Sequence, residues 1–193
     1  MQAKLARRPV KLMIFSFDKI LKIDRKINQS LTASNLPWLS GTLGALTYLG
    51  TGAVWIAAYA FFIFFLPDPF TPLIWTLVLT EVMGLFAIIV LRYITKRARP
   101  ATSYKHFFLT PWNRYSFPSH HAYRVTILLI IFGAAFPALL SFLIVMAATV
   151  CFSRIYLAKH YFSDVLTGIF LGIILAMVSQ RIINIGSLRY LTE

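Results

Sequence analysis

The chain has 193 residues, of which 59% are hydrophobic, 16% aromatic and 13% charged, with a mean hydropathy of +0.73. Soluble domains average about 45–50% apolar and about 25% charged residues, so disorder, a coiled coil and most soluble folds are excluded, and an integral membrane protein remains. Nineteen Lys and Arg against six Asp and Glu give a net charge of +13, which in so apolar a chain points to phosphate, on a lipid or near one, and away from nucleic acid.

The first segment carries Lys4, Arg7, Arg8 and Lys11, and Asp18 and Lys19 cut the following apolar run before it can form a signal-peptide core, so no cleavage is expected. At about 100° per residue, Lys11, Asp18, Lys22, Arg25 and Gln29 share one arc while Met13, Phe17, Ile20, Leu21 and Ile27 share the opposite one. This predicts a basic amphipathic segment, residues 1–36, lying in the membrane interface. Asp24 falls inside the apolar arc and suits instead a helix packed on the protein's own loops.

Residues 28–67 carry no charge, but Pro37 and the glycines at 41, 44, 50 and 52 interrupt the first half, leaving one span over 43–66. The Pro67-Asp68-Pro69 turn leads to a second span, 71–94, and the polar, proline-containing stretch 95–118 reads as a long loop of the kind that carries function. Residues 119–157 hold two more spans bent around Gly133 and Pro137, and a fifth runs over 164–183. The expected fold is all-α: a polytopic transmembrane helical bundle over 37–193 with five spans, or six if the N-terminal segment or residues 31–50 contribute one. Such a chain belongs in the cell membrane as a multi-pass protein, in the inner membrane if the cell is Gram-negative. The single cysteine, Cys151, lies in an apolar run and reads as a small buried residue with no disulfide partner.

These spans bring the loop 95–118, the start of the third span, the end of the fourth and the start of the fifth to one membrane face. There the sequence presents Arg92, Arg99-Pro100, Pro118-Ser119-His120-His121, Ser153-Arg154, His160 and Asp164. Arginine is a planar, permanently charged fork that binds phosphate oxygens bidentately, so Arg92, Arg99 and Arg154 together suit the three equatorial oxygens of a transferring phosphoryl group. Ser119 and the amides at 120 and 121 open a helix, whose unsatisfied N–H groups favour an anion. His160 and Asp164 are one helical turn apart, so the carboxylate can accept from one ring nitrogen and leave the other as a nucleophile toward phosphorus. His121 then has the task of acid and base. Arg97, Lys96, Lys105, Arg114 and Lys159 read as headgroup contacts or topology signals, and His106 as structural. A metal site is disfavoured, because adjacent helical residues such as His120 and His121 point about 100° apart and only Asp164 supplies a nearby carboxylate.

In order, the chain shows R-x6-R-P, P-S-H-H and S-R-x5-H-x3-D. This resembles the type 2 phosphatidic acid phosphatase (PAP2) superfamily, whose motifs are K-x6-R-P, P-S-G-H and S-R-x5-H-x3-D. The third match is complete: Ser153, Arg154, His160 and Asp164. The resemblance implies that His160 is the nucleophile, Asp164 its orienting partner and His121 the acid and base. Arg92, Arg99, Ser119, His120 through its amide, and Arg154 would bind phosphate, and no metal or cofactor is implied. Arg92 stands where the family has lysine, which keeps the charge but flattens the donor. His120 stands where the family has glycine, and its side chain adds bulk beside the pocket.

The function this supports is a membrane phosphatase acting on a lipid phosphate monoester or diphosphate. A lipid-to-lipid phosphotransferase would use the same intermediate, and an inactive lipid-phosphate-binding scaffold is the alternative that His120 motivates. Candidate substrates are phosphatidic acid, phosphatidylglycerol phosphate, polyprenyl diphosphate and the phosphates of lipid A, with the loop aromatics Tyr104, Phe107, Phe108, Trp112 and Tyr115 helping to choose. Eight cations among residues 4–26 put the active face in the cytoplasm by the charge rule, with Arg181 and Arg189 opposite, whereas the resemblance implies an extracytoplasmic site. A sixth span would reconcile the two. Glu81, roughly 16 Å down the helix from Arg92, is an intramembrane acid without an evident partner, since Arg124 reads as too shallow to reach it.

Overall fold

The computed structural model of the protein describes residues 8–33 (side chains from 19 to 32), 36–65, 70–100 and 114–183. Their regular structure is helical: α1 (Arg8–Ala33), α2 (Pro37–Leu46), α3 (Gly52–Phe65), α4 (Thr71–Thr95), α5 (His120–Ala135), α6 (Leu140–Tyr156) and α7 (Phe162–Ile183), with 3-10 turns at Thr47–Gly50 and Pro137–Leu139. The expected Pro67-Asp68-Pro69 turn, Lys4, Arg7, Arg189, Lys105, His106 and the loop aromatics Tyr104, Phe107, Phe108 and Trp112 lie outside the described residues, as do the side chains of Lys11, Met13, Phe17 and Asp18.

Local chemistry explains the helix ends. Pro37 sits in the first turn of α2, where its missing N–H leaves nothing unsatisfied, so it opens a helix and does not interrupt one. The interruption falls later, at the 3-10 turn and the extended Thr51, where α2 and α3 meet at 42°. Helix α4 ends where Lys96 turns left-handed (φ 46°) and its N–H bonds the Arg92 carbonyl.

Three helical stretches, Thr71–Thr95, Pro137–Tyr156 and Phe162–Ile183, are long and apolar enough to cross a membrane, and the bent pair Pro37–Gly50 with Gly52–Phe65 makes a fourth if taken as one broken span. The remaining expected span is α5, whose 16 residues give roughly 24 Å of helix against a hydrocarbon layer of about 30 Å. The structure therefore carries three to four candidate spans, fewer than the five expected.

Helix α5 is the centre of the bundle, packed on α4, α6 and α7. Tyr123, Val125, Ile127 and Leu128 on it are fully buried. Glycine permits this closeness: a Cβ on Gly168 of α7 would lie 2.4 Å from the Ser119 carbonyl oxygen, and one on Gly172 would lie 2.9 Å from Thr126 Cβ. The outer surface is apolar, with Phe61, Phe64, Phe86, Phe142 and Phe170 all exposed, as a lipid-facing surface requires.

Helix α1 docks on the end of the bundle that carries the motifs. Ile27 and Leu31 pack against Ala122, Ile155 and Val165, and Asp24 and Asn28 of the same stripe are buried, while Lys19, Lys22, Arg25 and Lys26 are exposed. The acid that disturbs the apolar arc is thus part of the seam. Ile20 and Ile23 fall outside it and are exposed.

Candidate active site

Four chain segments converge at this end. The last turn of α4 supplies Arg92, which is buried and donates from Nη2 to the Pro118 carbonyl at 3.3 Å. Beyond the Lys96 cap the backbone runs through Arg97 to Arg99, and the returning Ser116 is tied to it: its N–H donates to the Arg97 carbonyl at 2.9 Å and its hydroxyl to the Ala98 carbonyl at 3.1 Å. Ser119 is the N-cap of α5, accepting weakly from the Ala122 amide at 3.5 Å, and its own N–H donates to the Asp164 carbonyl at 3.0 Å. At the end of α6 the carbonyl of Arg154 receives the amides of Lys159 and His160, both at 3.0 Å, which closes the tight turn into α7.

His160 is only 1% exposed. Its Nδ1 lies 2.7 Å from the Ser116 carbonyl oxygen, and a carbonyl only accepts, so the proton is on Nδ1. Nε2 then carries the lone pair, and it faces Arg99 Nη1 at 3.3 Å, a group that can only donate. Both contacts select the same neutral tautomer. Burial first, and then the positive charges of Arg99, Arg154 and Arg92, hold the ring well below the usual imidazole range. Arg99 is itself fixed by donating to the Lys159 carbonyl at 2.7 Å. Burial, with Arg154 and Arg99 nearby, brings Lys159 down to about 8.

The sequence points to Asp164 as the acceptor for the ring, but its Oδ2 stands 3.6 Å from Nδ1, beyond hydrogen-bonding distance, and the Ser116 carbonyl is nearer. The carboxylate instead accepts from Arg97 Nη1 at 2.7 Å and from the Tyr161 amide at 2.8 Å. Arg97 is therefore no headgroup contact. It is buried, and it bridges Asp164 to Asp24 of α1, whose Oδ2 lies 2.6 Å from Nη2.

Arg154 Nη1 donates to Thr47 Oγ1 at 2.9 Å, and Ser153 Oγ, whose hydroxyl donates to the Val150 carbonyl at 2.7 Å, stands 3.0 Å from the same oxygen. The 3-10 turn between α2 and α3 thus forms a wall of the site. His121 is half-buried against that wall, where a Cβ on Gly50 would come within 2.8 Å of its Cδ2. Tyr115 is set edge-on to Tyr93, with ring centres 6.3 Å apart.

The side chain of His120 is held by Glu81 and Arg124. Its Nε2 lies 3.0 Å from Glu81 Oε1 and 3.2 Å from Arg124 Nη2. Arg124, expected to be out of reach, holds Glu81 through Nη2 to Oε1 and through Nε to Oε2 at 3.2 Å, and donates from Nη1 to the Gly50 carbonyl at 2.8 Å. Thr47, Ser116, Asn28 and the bridging role of Arg97 are not visible in the sequence, and only Asp24 leaves a signal there, as an acid in an apolar arc. Among the described residues no three His, Cys, Asp or Glu side chains group as a metal site requires.

The fold has solved counterparts. The fold is similar to that of LpxE from Aquifex aeolicus, with a TM-score of 0.64 and 24% identity over 83% of this chain and 94% of that one. It is also similar to the transmembrane PAP2-type phosphatidylglycerolphosphate phosphatase from Bacillus subtilis, with a TM-score of 0.69 and 20% identity over 92% of this chain and 96% of that one. The sequence profile of the PAP2 superfamily matches residues 71–185, from the start of α4 past the end of α7 and through all three motifs, and the chain belongs to that superfamily.

Proposed function

We propose that the chain is an integral membrane phosphatase that removes phosphate from a lipid phosphate monoester or diphosphate through a phosphohistidine at His160. The observation that carries this reading is the state of one ring, which donates its Nδ1–H to the Ser116 carbonyl and presents the Nε2 lone pair beside Arg99. A nucleophile toward phosphorus must be neutral, and an anionic phosphoryl group must be held while it is attacked. Arg92, Arg99 and Arg154, with Ser119 and the amides at the start of α5, hold the non-bridging oxygens. The Nε2–P bond forms in line as the bond from phosphorus to the lipid oxygen breaks, and His121 passes its proton to that oxygen. Water then attacks phosphorus, His121 takes the proton back, the N–P bond breaks, and inorganic phosphate leaves. Asp164 supports the ring while it is cationic.

Lipid as the substrate class is supported by the apolar outer surface and by the fold shared with a phosphatase named for phosphatidylglycerol phosphate. In a multi-pass arrangement α5 serves as the fifth crossing, its shortness offset because α4, α6 and α7 surround it where a lipid-exposed helix would meet hydrocarbon. The test is phosphate release from phosphatidic acid, phosphatidylglycerol phosphate, a polyprenyl diphosphate and lipid A by the reconstituted full chain. The wild type releases phosphate from at least one and His160→Ala from none; equal release by the two would sink the assignment.

A further inference from the structure

The turn that carries His160 is gripped from a side the three motifs do not reach. Asn28, on the buried stripe of α1, donates from Nδ2 to the carbonyl of His160 itself at 3.3 Å and to that of Ile155 at 3.4 Å. One turn earlier on the stripe, Asp24 Oδ1 accepts from the Ser163 amide at 3.0 Å, and Oδ2 accepts from the Ser163 hydroxyl at 2.5 Å and from Arg97 Nη2 at 2.6 Å. Arg97 Nη1 reaches Ser163 Oγ and Asp164 Oδ1, both at 2.7 Å, and the guanidinium lies 4.2 Å from the centre of the Tyr161 ring. The backbone from Ile155 to Asp164 is therefore tied to α1 on both sides of the histidine.

Docking alone does not call for these residues. Ile27 and Leu31 already supply the apolar contact of α1 with the bundle, and a carboxylate in such a seam costs free energy unless it is paired and hydrogen-bonded. Asp24 is 1% exposed and Asn28 5%; Asn28 Nδ2 and both carboxylate oxygens of Asp24 go to the turn that holds His160 or to Arg97 beside it. One guanidinium between two carboxylates also fixes Asp164, because Asp24 occupies the second nitrogen and stops Arg97 from swinging. Asp24 and Asn28 lie outside the residues matched to the family, which begin at 71.

We propose that Asp24 and Asn28 are positioning residues for His160, Asn28 through the histidine's own carbonyl and Asp24 through Ser163 and the Arg97 bridge to Asp164, so that α1 belongs to the catalytic unit. The kinetic consequence rests on the phosphatase reading above; the geometric one does not. Two measurements on the full chain separate them: phosphate release from phosphatidic acid in mixed micelles, and the ring signals of His160 in a 15N-histidine spectrum. Asp24→Asn and Asn28→Ala each lower kcat by about tenfold or more, as small displacements of a reacting group do, with KM held within about threefold. In both variants the Nδ1–H signal of His160 shifts, while Lys22→Gln and Gln29→Ala on the outward face change neither readout. If Asp24→Asn does not fold, Asn28→Ala decides alone. Unchanged kcat and unmoved ring signals would overturn the proposal and leave the phosphatase reading standing. Should the wild type release no phosphate from any lipid, the ring signals still decide, a shift supporting the positioning role and its absence refuting it.

Discussion

Nδ1 of His160 stands 2.7 Å from the Ser116 carbonyl oxygen and 3.6 Å from Asp164 Oδ2. In a histidine–carboxylate pair where the carboxylate alone selects the tautomer, replacing it by an amide costs about 10⁴-fold in kcat. Here the backbone carbonyl keeps the proton on Nδ1 whatever stands at 164. Asp164→Asn is therefore expected to lower kcat by roughly 10- to 100-fold, the range for losing an outer-shell support, with KM little changed. Steady-state phosphate release from phosphatidic acid checks this, and a loss near 10⁴ would return the orienting role to Asp164.

The depressed pKa of His160 has a sign that can be followed with pH. The unfolded chain takes up a proton on this ring below about 6.5, whereas burial and the three arginines keep the folded ring neutral to well below that. In the window between the two values the unfolded state binds more protons, so this group makes stability fall as pH falls. The ring proposed as nucleophile meanwhile stays neutral. The ring of His160 is expected to titrate well below pH 6.5 in a 15N-histidine spectrum of the folded chain. Arg99→Gln removes the largest charge contribution, so the ring titrates at a higher pH in a 15N-histidine spectrum.

The placement of the motifs was legible because chemistry-bearing residues at helix ends are rare in so apolar a chain, and their spacing carries a catalytic pattern onto one membrane face. What stayed hidden has physical reasons. The acceptor that fixes His160 is a backbone carbonyl, which any residue at 116 would provide. Thr47 reaches the site only because α2 and α3 break at the 3-10 turn, and an uncharged apolar run does not show where it will bend. Arg97 looked like any juxtamembrane cation until its two carboxylates, one of them from α1, were seen folded against it. Counting down α4 from Arg92 and down α5 from His121 separately misses the offset between the two helices, and with it the pairing of Glu81 and Arg124.

That pairing makes a prediction about stability. The Glu81 and Arg124 side chains are 14% and 5% exposed, and Arg124 also holds the Gly50 carbonyl against which His121 packs. Removing one partner of a buried pair strands the other charge. Glu81→Ala is therefore expected to destabilise the detergent-solubilised protein by about 3 kcal/mol. Glu81→Ala combined with Arg124→Met should cost less than the sum of the single changes, since the two residues are in contact. Thermal unfolding of the four proteins measures this, and additivity would count against the pair.

His120 departs from the family glycine, and its ring lies against Glu81 and Arg124. Its backbone amide at the start of α5 is the same in either residue. His120→Gly is expected to keep phosphate release within about threefold, while losing roughly 2 kcal/mol of stability with the hydrogen bond to the Glu81 carboxylate. A loss of turnover beyond tenfold, at unchanged stability, would assign the imidazole a part in the reaction.

Two glycines should respond in opposite ways to the same methyl group. A Cβ on Gly168 would lie 2.4 Å from the Ser119 carbonyl oxygen, whereas one on Gly44 would have nothing within 4 Å. The obstacle at 168 is backbone, so α5 and α7 must part to admit it, and the bond from the Ser119 amide to the Asp164 carbonyl spans that contact. Gly168→Ala is expected to destabilise by about 3 kcal/mol, the upper range for overpacking. Displacing Ser119 from the proposed site by even a fraction of an ångström should lower kcat by about tenfold or more. Gly44→Ala, inside α2, is expected to raise stability by up to about 1 kcal/mol through helix propensity. Thermal unfolding and phosphate release on the two variants test the contact together: if Gly168→Ala behaves like Gly44→Ala, then α5 and α7 are not held at the separation that ties Ser119 to Asp164.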